Sequence, residues 1–368
     1  MCNTYFAETE LGVSMNVGII GCGGVAPAHI QAYQKIKGVK VVAVCDLNLE
    51  RAKSLGARFG IRKVFDNYWD MFKACKLDLV SVCTPVSTHK QIVCDAATAV
   101  PAILVEKPMA LSVSECDEMI KAVNKHGSKL CIGHNQIFSP LIQRAKALVD
   151  SGKFKLLSFR TTQKESFELL RAYNLAPAWN VSPEQKGIIW EVCCHLAYLQ
   201  LYFLPDIKEV YAVGGKFRYP VYDAFAVLLR TNDERFGLIE LSWISKETEI
   251  VYELSDVEGK RLQIHRDFNY FLENSITPPF NVIGVLKNIL VDEKRVLQKW
   301  MSFGLSYIHK TKTFPTFQLI NSYIECIKKD LPPPISPKDG RNNIKLLECI
   351  EKSLRERKPE KLNFRNAH

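Results

Sequence analysis

From Asn16 onward, short runs rich in β-branched residues alternate with helical patterns, and this alternation restricts the possible folds more than any other feature. The runs are NVGIIG, KVVAVCD, LVSVCTP, AILVEK and KLCIGHN. Each is too short for a typical helix, and between them lie amphipathic stretches such as 48–59 and 112–126. The second of these opens with Ser112 and Glu115 at capping-box spacing. Strand and helix in strict alternation predict an α/β unit, a doubly wound parallel sheet of the Rossmann type. After about residue 133 the pattern changes. A helix over 140–151 leads into LLSFRTT, EVYAVGGKF, AFAVLLRT, FGLIELSW and EIVYELS, joined by turns such as TNDERFG. These predict a C-terminal α+β domain containing a large open, mainly antiparallel sheet.

Composition removes several classes of function. A chain of 368 residues with 47% hydrophobic content buries a sizeable core, and its length favours two domains. No apolar run approaches the roughly 18 residues that a membrane span needs. Residues 1–14 lack the basic start and apolar run of a signal peptide, so the expected location is the cytoplasm. Those residues read as an N-terminal extension or a misplaced start, because Met15 stands directly before the first strand. The twelve cysteines are scattered and form no CxxC pair, as expected of reduced, structural thiols. The formal charge is +10, of which residues 341–368, with eight Lys or Arg and four Glu, contribute +4. That tail reads as an amphipathic helix with Ile344, Leu347, Ile350 and Leu354 on one stripe, so its charges form a solvated face and predict no nucleic-acid partner. The sequon-like Asn180-Val181-Ser182 is a chance match in a cytosolic chain.

The first strand ends in Gly21-Cys22-Gly23-Gly24-Val25-Ala26, which gives G-x-G-x-x-A between a strand and a helix. There, backbone N–H groups and a helix N-terminus can receive a pyrophosphate. Asp46 ends the second strand near the spacing expected of a carboxylate that binds a ribose diol and repels a 2′-phosphate. NAD is therefore the expected cofactor and NADP the weaker alternative, with Arg51 close enough to complicate the choice.

GCGGVAPAHIQAY, CDLNLERA, VSVCTPVSTH and above all VEKPMALS resemble the glucose–fructose oxidoreductase and inositol dehydrogenase (Gfo/Idh/MocA) family. The resemblance runs from about residue 15 to residue 357. It implies a Rossmann domain over 15–133 and a substrate-binding and oligomerisation domain over 134–368. Its sheet would make homodimers or homotetramers. The implied activity is hydride transfer between NAD(P) and a secondary hydroxyl of a sugar, cyclitol or nucleotide sugar. The resemblance also implies cofactor contacts from Thr84, Pro85 and His89 and from Glu106-Lys107-Pro108, with Lys107 near nicotinamide and substrate.

Taking a proton from a secondary alcohol and stabilising the resulting oxygen suit His and Lys. Lys107, at a strand end, would polarise the oxygen. In the segment 187–195, Glu191 and His195 fall at i and i+4 of a helix, so Glu191 is expected to orient His195 as general base. The family usually has Asp where Glu191 stands. Cys193, Cys194 and His195 diverge around a helix with no fourth ligand at suitable spacing, so no metal is expected. Further expected substrate contacts are His134 and Asn135, followed by Ile137 where the family often has Arg, together with Tyr173, Trp179 and Asn180 in the irregular stretch before the catalytic helix. Two rival readings are a redox-assisted glycosidase or lyase with tightly bound NAD and a non-catalytic cofactor-binding sensor.

Overall fold

The β-rich runs of the first half are buried on both faces and therefore need helices above and below them. Together with the short, partly exposed edge strand β3 (Lys63–Phe65), they form β1 (Met15–Ile20), β2 (Val39–Cys45), β4 (Leu79–Val82), β5 (Ala102–Val105) and β6 (Lys129–Ile132). In this computed structural model, which describes residues 14–173, 176, 178–266, 270–275 and 314–364, these strands pair in the order β3-β2-β1-β4-β5-β6. All the pairs are parallel. This is the doubly wound order, in which the strand order reverses between β1 and β4 and opens a crevice at the strand ends. The connecting helices are α1 (Ala26–Gln34), α2 (Leu49–Phe59), α3 (Tyr68–Ala74), α4 (His89–Ala97) and α5 (Val113–His126). Capping by Ser112, whose side chain accepts from Glu115 N, starts α5, and Gly127 in the left-handed region ends it. Of the expected N-terminal extension, residues 1–13 lie outside the described residues.

After α6 (Pro140–Asp150), a second sheet takes over. It comprises β7 (Leu156–Ser166), β8 (Ile207–Gly215), β9 (Ala224–Thr231), β10 (Phe236–Ser242), β11 (Ile244–Asp256), β12 (Lys260–His265), β13 (Tyr270–Ser275) and β14 (Glu360–Lys361). Their order is β13-β12-β11-β7-β10-β9-β8-β14. Every pair is antiparallel except β7 with β10. In β9, buried Phe225, Val227 and Leu229 alternate with exposed Ala226, Leu228 and Arg230, the period-two pattern of a sheet covered on one face.

Helices α7 (Phe167–Ala172), α8 (Cys194–Phe203), α9 (Phe314–Lys328) and α10 (Pro337–Glu356) complete the described fold. The basic tail is α10, and its stripe is core: Ile344, Leu347 and Ile350 are fully buried. The last two helices also return to the first domain. Tyr323 on α9 donates to Ile103 O or Lys129 O, Ile132 N donates to Ile335 O, and Arg341 on α10 pairs with Asp117 on α5. None of the helices among the described residues is long and apolar enough to cross a membrane.

Candidate active site

Between β1 and α1 the chain turns at Gly21, which has φ of 92°; a Cβ there would lie 2.7 Å from the backbone carbonyl of Cys83. Only glycine fits that turn. A Cβ on Gly23 or Gly24 would meet nothing within 4 Å, so the turn borders open space. The start of α1 at Val25 and Ala26 carries no side-chain cap, leaving the positive end of the helix without a side-chain partner. These residues fit a dinucleotide pyrophosphate. Asp46 stands beside them. Its Oδ2 accepts from Cys22 N at 2.8 Å and its Oδ1 from Asn48 N at 2.9 Å. Arg51 Nη1 approaches to 3.8 Å from Oδ2, and the arginine side chain is 58% exposed. Burial pushes the Cys22 thiol up to about 12, and its backbone N–H is taken by Asp46.

Where β4, β5 and the segment before α8 meet, a cleft open to solvent contains about 390 Å³ of empty space. It is lined by Thr84, Pro85, Val86, Lys107, Pro108, Asn180, Trp190 and Glu191. Asn180 is buried, and its Oδ1 has no hydrogen-bond partner among the described residues. Such an orphaned acceptor at a cleft wall suits a ligand N–H or O–H.

The sequence places Glu191 and His195 on one α-helical face, but Ile189–Cys193 is a π-helix that becomes α-helical only at Cys194. The wider turn breaks the expected i, i+4 pairing. Glu191 instead meets Lys107, whose Nζ donates to Glu191 O at 3.0 Å and to Oε1 at 3.3 Å. The expected orientation of His195 by Glu191 is therefore corrected. His195 Nδ1 lies 3.1 Å from the hydroxyl of Tyr198, which also accepts from Gln136 N. Burial alone would lower the Lys107 pKa, but the charges of Glu191, Cys194 and Glu106 outweigh it and hold the amine well above its usual range. Burial, then the charges of Lys107 and Arg266, hold His195 well below the usual histidine range. At neutral pH the pair is thus an ammonium and a neutral imidazole.

Three other expected contacts move behind the cleft. His89 is 1% exposed. Its ring nitrogens face Pro108 O at 3.0 Å and Thr84 O at 2.9 Å, so it sits between the two cleft-lining turns without entering the cleft. Burial lowers its pKa, and the neutral ring so favoured donates to one of the two carbonyls. Glu106 is also buried, with Oε1 on His29 and Oε2 on Lys107 N. His134 stacks on Tyr198 at 4.2 Å between ring centroids and is buried too deeply to meet a substrate; burial pushes its pKa down to about 3. Asn135 donates to Thr316 on α9. Tyr173 is exposed away from the cleft lining, and the Trp179 side chain lies outside the described residues. Ile137, at the position where the family often has Arg, is buried. The residues that sequence reasoning missed are Val86, Trp190, Tyr198 and His29. The i, i+3 spacing of His195 and Tyr198 was the one available signal, and nothing local joins His29 to a glutamate 77 residues away. No group of three or more metal-ligating side chains occurs among the described residues.

A doubly wound domain with a dinucleotide turn, joined to an open-sheet domain and sharing a lysine-bearing cleft with it, defines a two-domain nicotinamide oxidoreductase. Residues 15–134 match the model described as "Oxidoreductase family, NAD-binding Rossmann fold", and residues 142–265 match the GFO/IDH/MocA C-terminal domain. The chain belongs to the Gfo/Idh/MocA family and is an NAD-dependent dehydrogenase. Among its relatives is the oxidoreductase YrbE of Bacillus subtilis, 28% identical over 209 residues, 56% of this chain and 58% of that one. The myo-inositol 2-dehydrogenase of Thermotoga maritima is 24% identical over 365 residues, 95% of this chain and 98% of that one. The WlbA dehydrogenase of Bordetella pertussis, solved with NADH and UDP-GlcNAcA, superposes with a TM-score of 0.78 at 20% identity. That superposition covers 95% of this chain and 98% of that one.

Proposed function

We propose that this dehydrogenase oxidises a secondary hydroxyl of a sugar, cyclitol or nucleotide sugar, or runs the reverse reduction. The observation that carries the reading is the Lys107–Glu191 pair facing one cleft beside the Thr84–Val86 turn. Bound NAD supplies the acceptor for the hydrogen and electron pair that leave the carbinol carbon. The protein's residues do the rest. The Gly21–Ala26 turn and Asp46 hold the dinucleotide, and Asp46 favours NAD over NADP. Lys107, kept as an ammonium, donates to the substrate oxygen as negative charge develops there. His195, kept neutral and held at Nδ1 by Tyr198, takes the hydroxyl proton at Nε2. Glu191 restrains the lysine and shares substrate hydroxyls, and Asn180 supplies an acceptor in the cleft wall. Myo-inositol and UDP-GlcNAcA, named for the two proteins above, mark the range of polyols to try first.

The test is a panel of free sugars, cyclitols and nucleotide sugars with NAD, followed by the absorbance of reduced nicotinamide. At least one polyol is expected to give steady turnover that Lys107→Ala abolishes while NAD still binds. Substrate consumption with no net change in NAD would favour the redox-assisted glycosidase or lyase. Cofactor binding without turnover of any polyol would favour the sensor. We also propose self-association through the open sheet, supported by Tyr211, Val213 and Leu228, which are exposed on the face that the described residues leave open.

A further inference from the structure

The cation that faces the cleft belongs to a line of alternating charges that begins inside the cofactor-binding domain and ends at Glu191. His29, on α1, is 1% exposed, and its Nε2 lies 2.8 Å from Glu106 Oε1. The other oxygen of Glu106 accepts from the backbone N–H of Lys107 at 3.1 Å. Lys107 Nζ in turn reaches Glu191 in the second domain. On the far side of the imidazole, Nδ1 lies 3.3 Å from Ser81 Oγ on β4, which shares a 2.7 Å hydrogen bond with the hydroxyl of Tyr33, also on α1. Gly133 closes the network from above, because a Cβ there would stand 3.2 Å from Glu106 Oε1. Both oxygens of Glu106 are therefore spent and its rotamer is fixed.

We propose that His29 is a positioning residue for Lys107, acting through Glu106 as a buried imidazolium, so that one ion pair holds the dinucleotide helix and the cleft lysine in register. A carboxylate buried next to a reactive ammonium would otherwise turn toward it and draw it out of the cleft. The imidazolium occupies the carboxylate from behind and leaves it only the main-chain N–H of Lys107 to hold. The groups facing this unit are few. Ser81, Cys83 and Glu106 surround His29, while Glu106, Glu191, Cys194, His134 and His195 surround Lys107. Burial alone would lower the His29 pKa, but the Cys83 thiol and the Glu106 carboxylate outweigh it and hold the imidazole up at about 10. The role in turnover rests on the substrate reading above, whereas the charge and the coupling do not.

The test uses the full chain and the variants His29→Gln, Glu106→Gln and the double variant. Ring ¹⁵N and lysine side-chain ¹³C titrations by NMR are recorded without substrate, NAD affinity is measured by fluorescence, and kcat and KM are measured on any substrate found. His29 should remain an imidazolium through pH 9 in the parent protein and lose its proton at lower pH in Glu106→Gln. Lys107 should titrate at lower pH in Glu106→Gln and in the double variant, because an anion facing it has gone. His29→Gln should lower kcat about tenfold or more, with NAD affinity within about threefold. If a single variant fails to fold, the double variant, a neutral amide pair of similar volume, still reports the Lys107 shift. A His29 that is neutral at pH 8, an unmoved Lys107, or kcat losses that track only weaker NAD binding would overturn the proposal. A chain that turns over no polyol yet shows both titration shifts would count against the substrate reading and leave the coupling standing.

Discussion

Lys107 has two carboxylates within reach of its influence, and they hold it in different ways: Glu191 through the ammonium and Glu106 through the main-chain N–H. Glu191→Gln keeps the volume and removes the charge whose attraction does most to hold the lysine above its usual range. The alkaline limb of the kcat profile should therefore move to lower pH in this variant, while NAD affinity stays unchanged. An unmoved limb would assign the titration to another group. At the dinucleotide turn, Asp46 is already fixed by two backbone donors, so a 2′-phosphate would meet an anion that cannot turn away. NAD should raise the melting temperature more than NADP, and Asp46→Ser should narrow the gap. Gly21, Asp46 and Lys107 were legible in the sequence because each sits in a short local pattern. The partner of Glu191 was not, since Lys107 lies 84 residues away and only the folded chain brings them together.

At the scale of elements, what was legible is what periodicity encodes. β1 to β6 and the helices between them follow from alternation, and Ser112 marks its helix by capping chemistry alone. Ser336 does the same for α10, where it and Asp339 form a reciprocal capping box. Ser336→Ala should cost about 1 kcal/mol in urea unfolding, with activity retained. The π-helix at Ile189–Cys193 was hidden, because its residues carry the same apolar pattern as an ordinary helix and only the extra residue per turn redirects Glu191. The ion pair joining α1 to the end of β5 gives a pH signature of its own. His29 rises from 6.5 to about 10 on folding, so its contribution to stability is complete below pH 6.5 and disappears as pH rises through about 10. The urea midpoint should fall over that interval, and in His29→Gln that part of the fall should be missing.

For the whole molecule, two domains and an open second sheet follow from the change of pattern near residue 133, whereas the parallel pairing of β7 with β10 was not readable. Strand runs reveal their faces but not their neighbours, and here α7, α8 and two other strands intervene between the two partners. The face that the described residues leave open carries Tyr211 opposite Leu228 and Val213 opposite Ala226, a row of apolar side chains that a second copy of the chain would cover. Sedimentation should give a dimer or larger species, and Leu228→Glu with Val213→Glu should yield a folded, NAD-binding species of smaller mass. An unchanged mass in that double variant would place the contact elsewhere.

The return of the last helices to the first domain has a consequence for how the chain is made. A ribosome releases the nucleotide-binding sheet long before the residues that finish it, since the hydrogen bond from Tyr323 to Lys129 spans 194 positions. Until then β6 is a bare strand edge flanked by apolar surface, the kind of nascent surface that chaperones hold and that aggregates when they do not. A chain truncated before α9 is therefore expected to unfold at lower urea than the full chain and to aggregate more readily, which light scattering during refolding would check.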